Sequence, residues 1–427
     1  MRDRHCSVVS RRARTRVGIV SALLCVLSGC AVQPHLMPPP AVFKDERLDF
    51  ARTLPVELRS PRLPVFYATA RAPAKAGAPG HYTNALGDGV RLGVADVHLG
   101  EPDWSWQDLV ASDRTTTVRK LRPGAVQGVE ELGMLGDADQ RFLAELDAQL
   151  RRGRNRELVL YVHGYRVTFD EVTVQMGSFA HYLGHGTMVT FQWPTGLNFW
   201  NYVTDCPRAE RHIPDIERLI ALLAKSSAET INVMAYSCGS PLLAAALVRL
   251  RNRHSAQGHA DLVTHYRLGN VIFVASDVDL KTFAREHVRP SLDLAQQLIV
   301  YVSRNDRALG FSSLVAGASR LGKPDIDDLT PRELDRLAAD PRLQVVDVSD
   351  VRGVHEMGGG MKGHGYWYAN DWISTDVTLS LRHPIPPQRR CLVRKPGTRA
   401  VWRIPDDYPA CVADRLLAAF PELRRSR

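Results

Sequence analysis

The ten residues INVMAYSCGS, from Ile231 to Ser240, are the strongest indication of the fold in this sequence. They form a short apolar run that ends abruptly at Ser237. Pro241 then opens a segment of helical composition, at a position where its missing N–H costs no hydrogen bond. A strand, a serine at a tight corner and a helix together form a nucleophile elbow. Such a corner holds the hydroxyl clear of the sheet and aims the free N–H groups of the helix at developing negative charge.

Outward from this stretch, uninterrupted apolar runs alternate with amphipathic segments of helical spacing. The runs predicted as strands cover residues 63–70, 90–99, 158–164, 188–194, 231–236, 270–277, 298–303 and 345–348. The segments predicted as helices cover residues 137–152, 169–183, 208–223, 370–381 and a stretch that ends near 295. Strands that are apolar throughout, separated by helices, predict an α/β fold whose mostly parallel central sheet carries helices on both faces.

Three side chains near the ends of predicted strands form a candidate catalytic set. A serine hydroxyl is a weak nucleophile at neutral pH, so a histidine must accept its proton and a carboxylate must orient that histidine. In a sheet of this kind the acid follows the serine in the chain, and the histidine follows the acid. Asp306 comes just after the run at 298–303, and His364 stands between the last strand and the last helix. Ser237, Asp306 and His364 are therefore the predicted triad.

Other assignments of these roles stay open in the sequence. Asp277 follows the preceding strand and competes with Asp306 for the role of the acid, and His355 competes with His364. Ser237 could also simply cap the helix that follows it, since serine is a preferred N-cap residue. Three roles that fall near strand ends in the expected order favour a triad over a serine that only caps a helix, while Asp277 and His355 stay open as alternatives.

An oxyanion hole needs two backbone N–H donors near the nucleophile. One is predicted at Cys238, the residue after Ser237. The other is predicted in the turn of Gly164 and Tyr165, which follows the strand-like run 158–164. A glycine in that turn lets the backbone come close to a substrate. The same residues are equally consistent with an ordinary turn at the end of a strand. The prediction of an oxyanion hole therefore depends on the presence of the triad.

The first thirty residues have the pattern of an export signal. Basic residues precede an apolar core at 17–27, which is too short to span a bilayer because a span needs about 20 apolar residues. Residues 27–30 (LSGC) then resemble the lipobox of bacterial lipoproteins, in which the cysteine carries the lipid. Cys30 is therefore the predicted lipidation site and membrane anchor. Ala31 stands where an aspartate is associated with inner-membrane retention, which favours the outer membrane, facing the periplasm.

Composition divides the rest of the chain into three further parts. A proline-rich tether is predicted at residues 31–62, after the signal peptide and lipobox of residues 1–30. The α/β domain is predicted at 63–383, and a basic C-terminal extension of no assignable architecture at 384–427. This division predicts one folded domain held away from the membrane by a flexible segment.

The positive charge of the chain lies at its two ends. The formal net charge is +9, but residues 1–29 carry six arginines against one aspartate. Residues 382–427 carry eleven basic residues against four acidic ones, so the body between them is slightly acidic. Nucleic-acid binding relies on a basic face. We therefore expect no nucleic-acid partner.

Four cysteines remain after the predicted export and lipidation. They are Cys206, Cys238, Cys391 and Cys411. Exported proteins fold where disulfides form, and Cys391 and Cys411 share the C-terminal tail, so these two are predicted to pair. No CxxC motif and no cluster of histidines at metal-ligand spacing occurs, so neither a metal nor another cofactor is predicted.

Six motifs together resemble a family of α/β-hydrolase-like proteins of unknown function. They are VFYATAR at 65–71, VHGY at 162–165, FQWP at 191–194, AYSCG at 235–239, VSRNDRAL at 302–309 and GHGYW at 363–367. The resemblance covers roughly residues 63–381. It implies the α/β-hydrolase fold, a serine hydrolase mechanism and the triad of Ser237, Asp306 and His364.

The chain departs from that family at three positions. Members usually carry histidine and methionine where Tyr236 and Cys238 stand, and serine at the position of Gln192. These changes alter the rim of the pocket and leave the triad intact. The family brings no established substrate, so the resemblance implies a mechanism without naming what is cleaved.

The sequence thus predicts a lipid-anchored serine hydrolase of the bacterial envelope. Its expected substrates are carboxylic esters, small or lipid-like, cleaved through an acyl-enzyme, with amides less favoured. The alternative is a non-catalytic envelope lipoprotein that uses the same fold as a binding module, since a fold does not determine function. Reaction with a serine-directed phosphonate would discriminate between the two.

Overall fold

The computed structural model describes residues 33–153, 155–354, 363–382, 384–398 and 400–425. The described residues from 34 onward form one compact unit, the second of the two into which the chain divides. All helices and strands named below belong to the second unit, which carries every described residue of the predicted catalytic site.

One mixed sheet of eleven strands runs through the described part of this unit. Its strands are β1 (Arg62–Pro73), β2 (Tyr82–Leu99), β3 (Gly124–Met134), β4 (Glu157–Val162), β5 (Thr187–Gln192), β6 (Thr230–Tyr236), β7 (Leu268–Val274), β8 (Ala295–Val302), β9 (Leu343–Asp347), β10 (Val393–Arg394) and β11 (Val401–Arg403). Their order across the sheet is β10-β11-β9-β8-β7-β6-β4-β5-β1-β2-β3. The central pairs are parallel, and the antiparallel pairs β1–β2, β2–β3 and β10–β11 lie toward the two edges.

Helices cover both faces of the sheet. They are α1 (Ala41–Lys44), α2 (Phe50–Thr53), α3 (Trp106–Thr115), α4 (Asp139–Arg152), α5 (Phe169–Tyr182), α6 (Tyr202–Ala209), α7 (Ile213–Leu223), α8 (Gly239–Arg253), α9 (His259–Tyr266), α10 (Leu280–Thr282), α11 (Val288–Leu294), α12 (Arg307–Ala316), α13 (Pro331–Ala339), α14 (Tyr366–Ala369), α15 (Asp371–Ser380) and α16 (Tyr408–Ala419). A π-helical turn, Phe283–His287, joins α10 to α11.

The two faces of the sheet bury two separate cores. Leu158 and Leu160 of β4 join one core with α4, α7 and α8, whereas Val159 and Tyr161 join the other with α5, α15 and α16. Successive side chains of a strand point to opposite faces, so a strand buried on both faces must be apolar throughout. The predicted α/β architecture, with a mostly parallel sheet and helices on both faces, is confirmed.

Parallel pairing brings the carboxyl ends of the central strands to one edge of the sheet. There β6 leads into Ser237, β8 into the turn of Asp306, and β4 into the turn of Gly164. His364 lies beyond the end of β9 in the chain. In open α/β sheets, ligands bind in the crevice outside these carboxyl ends. The candidate site therefore lies where this topology places a binding crevice.

The prediction of a tether at residues 31–62 is wrong for residues 33–62, the part that the structure describes. Leu36, Met37 and Val42 are buried in the core on the α5 side of the sheet. The hydroxyl of Tyr182 in α5 donates a hydrogen bond to the Met37 carbonyl at 2.9 Å. Prolines favour an extended path, but burial of the apolar side chains among them stabilises the folded state. The segment is therefore docked along the fold.

The predicted basic extension at 384–427 is also corrected by the structure. β11 pairs in parallel with β9, and α16 buries Tyr408. The side chain of Arg390 is buried, and its Nε lies 3.3 Å from Oδ1 of Asp376 in α15. A cation is costly to bury unless an anion accompanies it, so this arginine serves the fold and not a basic surface. The second compact unit thus continues through the tail.

Two differences in the elements have local causes. The helix predicted at 208–223 is divided into α6 and α7, and Pro214 stands in the first turn of α7, where its missing N–H is tolerated. Strand β3 was not predicted, because it carries Glu130 and Glu131 on an edge of the sheet and lacks a continuous apolar run.

Candidate active site

The chain turns sharply between β6 and α8, with Ser237 at the corner. Its φ is 52°, in the left-handed region that residues other than glycine seldom adopt. Gly239 opens α8, and a Cβ on it would lie 2.7 Å from the carbonyl oxygen of Val162. Only glycine therefore lets the helix come this close to the end of β4. The local geometry is that of a nucleophile elbow.

Three buried side chains form a hydrogen-bonded chain at this corner. Oγ of Ser237 lies 2.8 Å from Nε2 of His364, and Nδ1 of His364 lies 2.7 Å from Oδ2 of Asp306. The three residues are 4%, 1% and 0% exposed, so water competes little for these contacts. A carboxylate can only accept, so Nδ1 carries the imidazole proton. Nε2 is then left to accept the hydrogen bond that the serine hydroxyl donates.

Two turns bring Asp306 and His364 together. Asp306 caps α12, and its Oδ1 accepts a hydrogen bond from the N–H of Leu309 at 3.0 Å, which leaves Oδ2 for the histidine. Gly363, with a φ of 82°, directly precedes His364. A Cβ on Gly363 would lie 2.6 Å from the carbonyl oxygen of Asn305. The absence of a side chain there lets the histidine turn close on the aspartate turn.

The competing candidates have other environments. Asp277 accepts a hydrogen bond from the hydroxyl of Tyr202 and another from Ser312 Oγ at 2.5 Å. Among the described residues, the carboxylate in contact with the imidazole is that of Asp306. His355, the competing histidine, lies outside the described residues. The geometry thus gives Asp277 a place in a polar cluster beside the elbow.

The turn after β4 lies directly against the elbow. A Cβ on Gly164 would lie 2.9 Å from Cβ of Ser237, so this close approach requires glycine. The next residue, Tyr165, is buried, and its hydroxyl donates a hydrogen bond to the carbonyl oxygen of Asn198 at 2.5 Å. Cys238 occupies the N-cap position of α8, where backbone N–H groups have no acceptor within the helix. The structure therefore brings both predicted sources of oxyanion donors to the nucleophile.

Buried side chains support this turn from behind, and the sequence did not assign them that role. The ring of His163 stacks on Trp193, with centroids 5.2 Å apart, and Nε1 of Trp193 donates to the His163 carbonyl at 2.9 Å. Burial, together with the Arg71 cation, lowers the pKa of His163 to about 3, so this imidazole is neutral near pH 7. Nη2 of Arg71 donates to the Val167 carbonyl at 2.9 Å and ties the turn to β1.

Two disulfides link segments of the described structure. One joins Cys238 to Cys206 in α6, with a Cα–Cα distance of 5.7 Å. This pair is not among the pairs predicted from the sequence, although an even number of exported cysteines is itself a signal of pairing. The other joins Cys391 to Cys411, with a Cα–Cα distance of 6.1 Å. The first bond ties the residue after the nucleophile to the helix α6.

The ranges that the structure describes contain neither a metal-binding cluster nor a membrane-spanning helix. No group of three or more histidine, cysteine, aspartate or glutamate side chains in the described residues could hold a metal ion. None of the helices described here has the length and apolar character needed to cross a bilayer. Cys30, the predicted lipidation site, lies outside the described residues.

Several solved structures are similar to this chain at low identity. Esterase 2 of Thermogutta terrifontis, phosphoramylated by tabun, is 13% identical in a match that covers 53% of this chain and 81% of that one, with a TM-score of 0.29. A lipase–esterase related protein from Clostridium acetobutylicum is 9% identical, with coverages of 54% and 94% and a TM-score of 0.28. Structural similarity at these TM-scores does not indicate a substrate. No curated protein sequence matches the chain.

One protein family matches the chain over the region that holds the site. The family described as "Alpha/beta hydrolase of unknown function (DUF900)" matches residues 138–378. That range is more than half of the chain and includes Ser237, Asp306 and His364. It also includes the central parallel strands from β4 to β9. The chain therefore belongs to this family of α/β hydrolases of unknown function.

Proposed function

We propose that this protein is a serine hydrolase that cleaves carboxylic esters through an acyl-enzyme intermediate. The observation that carries the proposal is the buried chain from Ser237 through His364 to Asp306, with contacts of 2.8 and 2.7 Å. A serine that only capped a helix would not require an imidazole held at hydrogen-bond distance by a carboxylate. The strained backbone at Ser237 fits the same reading, because such strain concentrates at functional sites.

In the first half of the proposed reaction, Ser237 Oγ attacks the carbonyl carbon of the ester. Its proton moves to Nε2 of His364, while Asp306 accepts from Nδ1 and stabilises the imidazolium. The backbone N–H groups of Cys238 and Tyr165 donate to the oxyanion, with Gly164 providing the close approach. The carbon–oxygen bond to the alcohol then breaks, and the leaving oxygen takes the proton from Nε2. The acyl group stays on Ser237.

In the second half, a water molecule replaces the alcohol. Nε2 of His364 accepts a proton from the water as its oxygen attacks the acyl carbon. When the tetrahedral intermediate collapses, Ser237 Oγ leaves and regains the proton from His364. The carboxylic acid is released and the enzyme returns to its starting state. These steps use the side chains of the triad and backbone donors, and amides would react by the same route with a poorer leaving group.

Covalent labelling tests this proposal. A fluorophosphonate should attach to the wild-type protein and not to Ser237→Ala, because the phosphorus atom is attacked by the activated serine. Circular dichroism should show that the variant keeps the wild-type fold. Equal labelling of the two proteins would place the reactive group elsewhere. If neither protein is labelled and no ester is cleaved, the fold serves as a binding module in the envelope.

We also propose that Cys30 is lipidated and anchors the enzyme to the outer membrane, facing the periplasm. The support is the LSGC segment at 27–30 after a short apolar core, with Ala31 following it. The disulfides Cys206–Cys238 and Cys391–Cys411 fit an oxidising compartment of that kind. Anchoring would hold the hydrolase beside envelope esters.

Fractionation of cells tests the anchor. The wild-type protein should incorporate a labelled fatty acid and sediment with the outer membrane. Cys30→Ser should lose the label and be released or remain unprocessed, because no thiol is left to accept the lipid. An unlabelled wild-type protein in the cytosol would contradict export and anchoring together.

A further inference from the structure

Large apolar side chains are exposed on two segments close to the triad. Leu314 in α12 is 81% exposed and Trp200 is 74% exposed, the highest values among the large apolar residues of the described structure. Leu197 and Val203 accompany Trp200, and Val315 follows Leu314, all of them exposed. We call these five residues the rim patch. Exposed apolar groups on neighbouring segments mark a surface that binds another apolar surface or ligand.

The segment 195–209, which carries three residues of the rim patch, is fastened to the nucleophile and to its oxyanion turn. The disulfide Cys206–Cys238 attaches it beside Ser237. The Tyr165 hydroxyl donates to the Asn198 carbonyl at 2.5 Å, between Leu197 and Trp200 in the chain. The patch is therefore held next to the residues that react.

The helix α12 carries the other two residues of the patch and begins directly after the catalytic aspartate. Leu314 is eight residues beyond Asp306, which places it about 12 Å farther along the helix axis. Oη of Tyr202 lies 2.6 Å from Oγ of Ser312, and both hydroxyls contact the carboxylate of Asp277, so α12 and the segment 195–209 are joined to each other. Polar contacts thus hold the two segments together, while the apolar side chains of the rim patch are exposed to water.

Cations lie beside the same catalytic groups. Arg166 follows Tyr165 in the oxyanion turn, Arg307 follows Asp306, and both side chains are exposed. An arginine guanidinium matches the geometry of a phosphate. Tryptophan and leucine with neighbouring arginines form the combination that binds the boundary between lipid headgroups and acyl chains. The charge and the apolar area thus fit one kind of occupant, an anionic lipid surface.

We propose that the rim patch docks on an anionic phospholipid membrane and that the substrate is an acyl ester presented at that surface. Docking would place Leu314 and Trp200 among the acyl chains, with Arg166 and Arg307 at the headgroup phosphates. The ester of a lipid in the same surface would then lie on the side of the fold that carries Ser237. The substrate part of this proposal rests on the proposed ester hydrolysis, and the docking part does not.

Fluorescence quenching tests docking without catalysis. The full chain carrying Ser237→Ala is mixed with phosphatidylglycerol vesicles that contain brominated acyl chains, which quench nearby tryptophans. We expect quenching that drops when Trp200→Phe is added and also when Leu314→Ser is added. The matched control is Val56→Ser, which is 72% exposed and precedes the amino end of β1, at the edge opposite the triad. Equal quenching in all four proteins would overturn docking.

Kinetics test the substrate class. The full chain with an intact triad is assayed on phosphatidylglycerol vesicles and on dissolved p-nitrophenyl acetate, and the ratio of the two rates is compared. Leu314→Ser with Val315→Ser should lower the ratio about tenfold or more, because two large side chains no longer enter the lipid. Val56→Ser should keep the ratio of the wild type. An unchanged ratio in the double variant would overturn the substrate class.

Two other outcomes separate this proposal from its competitors. If sedimentation shows a dimer that Leu314→Ser dissociates, the patch is covered by a second copy of the chain and the lipid proposal is wrong. If quenching behaves as expected while neither ester is hydrolysed, docking stands and the proposed hydrolysis fails.

Discussion

At the scale of single residues, the site depends on which carboxylate faces the imidazole. Asp306 divides its two oxygens between the N–H of Leu309 and Nδ1 of His364, so both hydrogen bonds fix its orientation. Asp277 lies at the end of the neighbouring strand, but it accepts from the hydroxyls of Tyr202 and Ser312. The two aspartates look alike in sequence, and their partners give them different roles.

Asp306→Asn should lower turnover by about 10⁴-fold, the size of loss seen when the orienting acid of a serine protease becomes an amide. The amide no longer selects the tautomer in which Nε2 is free to accept the serine proton. Steady-state rates on a soluble p-nitrophenyl ester give the measurement. Asp277→Asn, the matched control, should lose far less. A crippled Asp277→Asn beside a nearly normal Asp306→Asn would show that the acid has been misassigned.

At the scale of elements, α6 is held against the elbow by a covalent bond. The disulfide Cys206–Cys238 ends at the residue whose N–H is the proposed oxyanion donor. Tyr165 and Tyr202 add an edge-to-face ring contact, with centroids 5.8 Å apart, between the oxyanion turn and α6. The start of α8, the turn after β4 and α6 therefore support one another around the serine.

Replacing both Cys206 and Cys238 by alanine should lower the free energy of unfolding by about 2–4 kcal/mol, because the unfolded chain loses a cross-link. It should also lower kcat about tenfold or more, since small displacements of catalytic groups are costly. Urea unfolding and ester kinetics measure the two effects. The control, with Cys391 and Cys411 replaced by alanine, should lose stability and keep its turnover on a soluble ester. Equal turnover in the two double variants would contradict a role for the first disulfide at the site.

At the scale of the whole molecule, buried histidines make stability depend on pH. Burial, together with the Arg71 cation, lowers the pKa of His163 to about 3, and burial next to His181 does the same for His185. Both stay neutral in the folded protein, whereas the unfolded chain takes up their protons below about pH 6.5. The unfolded state therefore binds more protons as the pH falls from 6.5 toward 3, and stability falls with it.

His185→Asn should reduce this loss. For each such histidine, the free energy of unfolding is expected to fall by about 2 kcal/mol between pH 7 and pH 5, and the variant should lack one such contribution. Asparagine is chosen because His185 has a φ of 58°, a conformation that asparagine tolerates. Urea unfolding at the two pH values is the measurement. His265→Asn, at an exposed position in α9, should fall as steeply as the wild type. If the free energy of unfolding of His185→Asn falls as much between pH 7 and pH 5 as that of the wild type, this explanation is refuted.

Local sequence patterns were sufficient to predict the strands at the centre of the sheet. Strands β4, β6, β7 and β8 are buried on both faces, so each appears in the sequence as an apolar run, and the corner after β6 appears as a short motif around Ser237. β3 and the two-residue β10 lie near the edges and carry exposed residues, so their patterns are too weak to predict. Residues 34–62 resemble a tether because six of the 29 are prolines, while the burial of their apolar side chains is visible only in the tertiary contacts.

Patterns in the sequence predict where the buried strands lie along the chain and place Ser237, Asp306 and His364 near strand ends. They can do so because hydrophobic periodicity and short motifs are local properties of the chain. Three further facts are visible in the tertiary contacts alone: Asp306 and not Asp277 meets the imidazole, Cys206 joins Cys238, and both ends of the described chain belong to the fold. Each of these depends on atoms far apart in sequence coming within a few ångströms. Such approaches are set by the packing of the sheet and its turns, which no local pattern encodes.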